Sequence, residues 1–322
     1  MSFENVQHFQ NIYITSKKRV VMKHTLKITI VLVALFLLTQ IVGLATVSKY
    51  LQVERTAEGI IISHEDTLIG PQPEIKDKSY SAIPIVIFVL IGTALVFALM
   101  HFKMGRFWKL WFFTAVFLTL SISFDVYIAR LYAVILALAL AIIKTFKPNV
   151  IVHNLTEIFV YTGITIVILP YLNVVSAITL LVLISIYDMY AVWKSKHMIK
   201  LAKFQTKSKV FAGLMVQYSP DKAEKKELKA KKIEVKQKSA ILGGGDIAFP
   251  LMFSAAVMES LILAGLTKQM AFFQSSIITL FVAIALALLF LKSEKNKFYP
   301  AMPFLTAGCL LGYGIVLLIG LF

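Results

Sequence analysis

The sequence predicts an all-α polytopic membrane protein with nine transmembrane helices, on three observations. Of 322 residues, 58% are hydrophobic and only 16% charged, with a mean hydropathy of +0.80. A soluble domain of this size does not need so much apolar surface. Apolar runs approaching the ~20 residues that cross a hydrocarbon core recur along the chain. The segments between them alternate in charge, as the loops of a membrane protein do.

Residues 1–24 are polar and basic, form a cytoplasmic segment in this reading, and show no small-residue cleavage pattern. The first span is therefore expected to be retained rather than removed as a signal peptide. Spans are expected near 25–47, 81–101, 107–128, 131–146, 149–172 and 174–196, then near 240–265, 270–291 and 299–321. The fourth is short, and the third ends beside Asp125. The organisation is thus helices 1–6 over 25–196, a basic cytoplasmic loop over 197–239, and helices 7–9 over 240–322.

The formal net charge of +16 would suggest nucleic acid in a soluble protein, but its placement points to membrane topology. Fourteen of the 33 basic residues lie between Lys194 and Lys238, and most others flank apolar runs. Lys17, Lys18, Arg19 and Lys23 precede the first span, whereas the 48–80 loop is acidic, with Glu54, Glu58, Glu65, Asp66, Glu74 and Asp77. Basic residues return at Lys103, Arg106 and Lys109, at Lys144 and Lys147, and at Lys292, Lys295 and Lys297. Positive charge marks the cytoplasmic side, so the amino terminus is expected inside and the carboxyl terminus outside. Within the large loop, 221–238 reads as a solvated tether. KVFAGLMVQYSP before it is apolar and partly β-branched. It reads either as a segment lying on the membrane surface or as a strand covering a site.

Two carboxylates stand inside apolar runs, Asp188 in the sixth span and Asp246 in the seventh. An acid in hydrocarbon costs roughly several kcal/mol and marks a functional site by default. Each lies seven residues from the shared loop, counted from Ser195 and Ser239, and so about two helical turns deep. Adjacent antiparallel helices can bring the two side chains together. Two carboxyls close together in a low dielectric hold one proton between them. Such a pair can activate water against a peptide carbonyl without a metal. The bland alternative is that each pairs with a cation or lines an ion pathway.

The neighbours favour the first reading. Gly243, Gly244 and Gly245 precede Asp246, and three glycines in a helix cost about 1 kcal/mol each relative to Ala. They are expected to leave irregular backbone beside the acid. Tyr187 precedes Asp188 and offers a phenolic hydroxyl. Pro300, Ala301, Met302 and Pro303 open the ninth span at the same end, where proline disturbs a clean helix start.

Tyr187-Asp188, the Gly-x-Gly-Asp run from Gly243 to Asp246, and Pro300-Ala301-Met302 together resemble the three signature motifs of the presenilin and signal peptide peptidase family. They occur in the same order and span placement, and the likeness covers essentially the whole chain. The family are Gly-x-Gly-Asp intramembrane aspartyl proteases. The resemblance implies a presenilin-like fold, Asp188 and Asp246 as the catalytic pair, and a substrate-shaping role for Tyr187, Gly243–Gly245 and Pro300–Met302. No cofactor and no metal is implied. Met302 departs from the usual Leu, a swap that keeps apolar volume. The inside amino terminus resembles presenilin rather than the inverted signal peptide peptidases. Substrates would then be single-pass membrane proteins or signal-peptide remnants with the amino terminus outside. The chain looks like a microbial homologue in a cell membrane, acting without obligatory accessory subunits. The 209–219 stretch falls where presenilin has its cytoplasmic cleavage region. Two alternatives are a prepilin-type peptidase and an ion channel or carrier using the same acids.

Other residues read more plainly. His153 and Glu157 are one turn apart on the fifth span, too few ligands for a metal, and suit a mutual hydrogen bond or a polar face. Glu259 lies thirteen residues past Asp246, too far to join the pair. Asn154-Leu155-Thr156 matches a glycosylation sequon but falls within a span and is discounted. Gly308 and Gly312 read as a helix-packing pair, and the lone Cys309 as a buried packing residue.

Overall fold

The computed structural model describes residues 26–56, 59–72, 75, 77–102, 104–147, 149–194, 211–218, 238–293 and 299–320. The expectations for 1–24 and for 221–237 fall outside them, as do residues 209, 210 and 219 of the presenilin-like cleavage region. Among the described residues nine α-helices form: α1 Leu26–Tyr50, α2 Ala82–His101, α3 Gly105–Asp125, α4 Arg130–Phe146 and α5 Val150–Ile168 come first. After them come α6 Val174–Met189, α7 Gly244–Leu263, α8 Lys268–Lys292 and α9 Met302–Gly320. Eight are long and apolar enough to cross a membrane; α4, at 17 residues, falls short of that length. Two antiparallel hairpins accompany them, β1 Leu51–Thr56 with β2 Gly59–His64, and β3 Gly213–Tyr218 with β4 Lys238–Gly243.

Local chemistry sets the helix ends. Asn149 caps α5 and Thr267 caps α8 through their side-chain oxygens, while Asn173 and Ser176 form a reciprocal capping box at α6. Pro170 sits in the short 3₁₀ turn that ends α5.

The main core runs through α1 and α5–α9, with Leu32, Phe36, Leu251, Phe253, Leu286 and Leu305 fully buried or nearly so. A second cluster joins α3, α4 and α5 around Trp108, Leu120 and Phe124. There α4 turns Ala133, Ala137 and Ala141 inward, a row of small residues that lets its backbone approach α3. Gly308 and Gly312 do the same for α9 against α8, where an added Cβ would meet Val282 and Ile278, so the packing reading holds. Cys309 between them is buried. Large apolar side chains such as Phe88 on α2 and Ile151 on α5 face outward, the arrangement hydrocarbon demands.

The connections gather at two ends. At one, Arg130 bonds Asp125 and the Asp66 carbonyl, Arg55 reaches the Gly265 carbonyl, and Lys268 bonds the Leu51 carbonyl. Glu259 lies here too, held by His64 at 3.2 Å and Lys78 at 3.1 Å. At the opposite end lie the β3–β4 hairpin, the last turn of α6 and the first turns of α7 and α9.

Two sequence expectations need correction. Residues 240–243, assigned to the seventh span, are strand, and α7 begins at Gly244. The stretch pairs with 213–218 from Gly213 opposite Gly243 to Tyr218 opposite Lys238, and cross-strand bonding overrides a helical start. Residues 213–218, within the expected loop, are therefore strand, as the second reading of that segment anticipated.

Helix α5 closes tightly on α3, where a Cβ on Gly163 would collide with the Thr119 carbonyl. Backbone cannot step aside as a side-chain tip can. Gly163→Ala is expected to destabilise the protein by about 1–3 kcal/mol, seen as a lower thermal midpoint in detergent.

Candidate active site

Asp188 stands in the final turn of α6, just before a π-helical turn at Tyr190–Lys194. Its side chain is buried, and its Oδ2 accepts a hydrogen bond from the Met302 backbone amide at 3.1 Å. Pro300 and Ala301 precede the helix, and Met302 is its first residue. A first-turn amide of α9, which has no partner in its own helix, thus closes on an acid. One turn deeper, Ser185 Oγ and Thr306 Oγ1 are 2.7 Å apart and tie α6 to α9 again.

Asp246 occupies the third position of α7, in its first turn rather than two turns inside as the sequence suggested. Its depth comes from the strand ahead of it, because β4 carries the chain to Gly243 before the helix begins. Gly243 is extended, with φ −65° and ψ 149°, and serves as the N-cap. The Asp246 carboxylate folds back towards it, 3.3 Å from where a Gly243 Cβ would stand. Asp246 is partly buried, and the charge of Asp188 is among those acting on it. The helices that carry the two carboxyls pack against each other at one end of the molecule, and a backbone amide of the third motif holds Asp188.

The glycines are less irregular than expected. Gly244 and Gly245 are helical, and only Gly243 is not. Their value is room. A Cβ on Gly244 would stand 2.6 Å from the Tyr161 hydroxyl of α5, and one on Gly243 would stand 3.3 Å from Asp246 Oδ2. Tyr187 is half-buried one position before Asp188. The irregular stretch at α9 likewise shrinks to Pro300 and Ala301, with Pro303 absorbed into the first turn, where a missing N–H costs no helical bond.

Several neighbours carried no sequence signal strong enough to be singled out. Pro250 lies four residues beyond Asp246, so the Asp246 carbonyl receives no helical bond from that position. Gln40 of α1 donates to the adjacent Ile247 carbonyl at 2.9 Å. Lys144 Nζ reaches Glu157 at 2.5 Å and Thr156 Oγ1 at 2.9 Å, in a pair whose side chains are 1% exposed. Its place beside an apolar run made Lys144 look like a topology determinant. His153 and Glu157 are 3.9 Å apart, but both turn mainly to β3 and not to an open cavity. No group of three or more metal-binding side chains occurs among the described residues.

The family described as signal-peptide peptidase, presenilin aspartyl protease matches residues 33–321. A presenilin family intramembrane aspartate protease, solved in a C222 crystal form, superposes with a TM-score of 0.59 at 16% identity. That match covers 90% of this chain and 99% of the other. A P2 crystal form of a presenilin family intramembrane aspartate protease gives 0.54 at 15% identity, covering 89% and 96%. No curated protein sequence matches the chain.

Space at Gly244 is set by the end of the Tyr161 side chain, its hydroxyl nearest at 2.6 Å and its Cε1 at 3.0 Å. Gly244→Ala is expected to lower activity on a transmembrane peptide by about tenfold, from an overpacking cost of ~1–3 kcal/mol. Adding Tyr161→Phe, which removes the nearest of the colliding atoms, is expected to restore part of it.

Proposed function

We propose that Asp188 and Asp246 are the catalytic pair of this chain, which belongs to the signal-peptide peptidase and presenilin family and is an intramembrane aspartic endopeptidase. The observation that carries the assignment is the Met302 amide bond to the buried Asp188 at the end of α6, with Asp246 in the first turn of α7 beside the glycine run. That membership sets aside the prepilin-type and transport readings.

In the mechanism, the two carboxyls hold one proton between them and bind a water. The ionised member takes a proton from the water as its oxygen attacks the scissile carbonyl carbon. The protonated member gives its proton to the carbonyl oxygen, which yields a tetrahedral diol. Proton transfer to the leaving nitrogen then breaks the C–N bond, and the pair returns to its starting state. Tyr187, Gly243–Gly245 and Pro300–Met302 shape the cleft around this water. A helical substrate must unwind to offer its peptide bond, and extended backbone at the site gives it a strand to pair with.

The same proposal includes nine spans, counting α4, with the amino terminus inside and the carboxyl terminus outside. The acidic 48–80 loop at the end away from the site and the basic flanks at the site end support that orientation. Substrates are single-pass membrane proteins or signal-peptide remnants with the amino terminus outside. The protein acts in a microbial cell membrane without an obligatory accessory subunit.

Asp188→Asn and Asp246→Asn, purified separately and assayed on a transmembrane peptide, are each expected to lose cleavage by at least about 10²–10⁴-fold. Unchanged thermal midpoints would confirm intact folds. Full cleavage by either variant would overturn the shared pair. A diol mimic of the tetrahedral intermediate is expected to inhibit the wild type competitively.

A further inference from the structure

The two acids are held by different parts of the molecule. Asp188 is fixed from α9 through the Met302 amide. Asp246 stands in the first turn of α7, and α7 starts where β4 ends, so the hairpin sets its height. The hairpin is held in turn by α5. Gly213 N donates to Glu157 Oε2 at 3.1 Å, and the Gly213 carbonyl accepts from His153 Nε2 at 2.7 Å. Met215 N donates to Asn154 Oδ1 at 2.9 Å, and its carbonyl accepts from Asn154 Nδ2 at 2.7 Å.

Behind Glu157 lies a buried charge that the proteolytic chemistry does not use. Lys144, near the end of α4, donates to Glu157 Oε1 at 2.5 Å, to Thr156 Oγ1 at 2.9 Å and to the His153 carbonyl at 3.4 Å. Its three donors are all spent on α5. A buried ion pair contributes no more to stability than apolar side chains of similar volume. It differs in one respect: the carboxylate has a second oxygen, and Lys144 holds the group so that this oxygen meets the Gly213 amide. The anchored residue suits its place in the ladder, since Gly213 has φ +143° and a Cβ there would meet the Leu242 carbonyl. Gly213 pairs with Gly243, the N-cap of α7, and Asp246 follows three residues later. Tyr161, one turn beyond Glu157 on α5, stands against Gly244 and braces the same first turn directly.

These bonds decide which residue of β3 lies beside which turn of α5. Leu214 and Leu242 are buried, and a slide of the hairpin by one residue would turn them outward. A slide by two keeps the faces, so burial alone does not oppose it. Such a step is about 7 Å, and it would draw β4 and the first turn of α7 along. An error of about 1 Å in a reacting group already costs on the order of 10²-fold in rate.

We propose that Lys144 and Glu157 are positioning residues for the catalytic pair: by pinning Gly213 to α5 they hold β4, and with it the first turn of α7, where Asp246 meets Asp188. The proposal rests on the reading of Asp188 and Asp246 as that pair. It gives α4, which carries neither acid, a part in the reaction.

Lys144→Met/Glu157→Leu replaces the ion pair by apolar side chains and removes the acceptor for Gly213. On a transmembrane peptide its kcat is expected to fall about 10–10²-fold with KM within about twofold, and the diol mimic is expected to lose affinity by the same factor as kcat. Lys144→Met/Glu157→Gln is equally uncharged, but its amide oxygen still accepts from Gly213. It is expected to bring kcat back to within about threefold of wild type. A merely structural role predicts equal losses in the two variants, in step with their thermal midpoints. Equal losses, or a kcat within about twofold of wild type in Lys144→Met/Glu157→Leu, would overturn the proposal. Should neither variant fold, amide hydrogen exchange of the wild-type enzyme without substrate decides the question. The Gly213 and Met215 amides are expected to be protected like those in the middle of α5, and exchange at the rate of an open loop would count against the anchor. Cleavage surviving in Asp188→Asn or Asp246→Asn would instead overturn the catalytic assignment, with the recovery by glutamine unaffected.

Discussion

Backbone polar groups that leave a helix within hydrocarbon must find partners inside the protein, because no water is there to serve them. That constraint organises the whole site end of this molecule. The chain departs from helix at Gly213–Tyr218, at Lys238–Gly243 and at Pro300–Ala301, and protein groups meet the inner groups of the hairpin and the outer groups of Gly213 and Met215. The hairpin strands satisfy each other, α5 side chains satisfy the outer groups of β3, and Asp188 receives the first amide of α9. Asp188 is therefore a structural acceptor as well as a reacting group. Its burial is tolerated because a backbone donor reaches it.

Much of this was legible in the sequence, and for physical reasons. Span lengths follow from membrane thickness, which is why eight of the expected runs correspond, among the described residues, to helices long and apolar enough to cross, while 131–146 falls within the shorter helix Arg130–Phe146. Asp188 and Asp246 were conspicuous because charge in an apolar run is costly. Glycine beside an acid, and proline at a helix start, each signalled backbone that serves a purpose other than helix.

The remainder was hidden because it depends on pairing across long sequence distances. Residues 238–243 alone, KSAILG, carry no signal that distinguishes a strand from the start of a span. Only the partner at 213–218 decides it, and hydropathy does not register partners. Lys144 looked like a loop-flanking cation, and nothing local showed that Glu157 waits one helix away. Asn154 matched a motif irrelevant at its depth, while its real use, as a substitute peptide group, appears only when Met215 lies beside it. The same logic explains Asp246. A count of residues gave a depth close to that of Asp188, but assumed a helix where the chain runs as strand.

The hairpin also joins parts of the polypeptide that are distant in the chain. Strand β3 belongs with everything before residue 219, and β4 with everything after 237. A chain severed anywhere between those limits would still be stitched together by six facing residue pairs, and by the packing of α7, α8 and α9 on α1, α5 and α6. Such a nick would yield two pieces that travel as one particle and separate only under denaturing conditions. Covalent continuity through that connection is thus not what keeps the upstream and downstream halves in register.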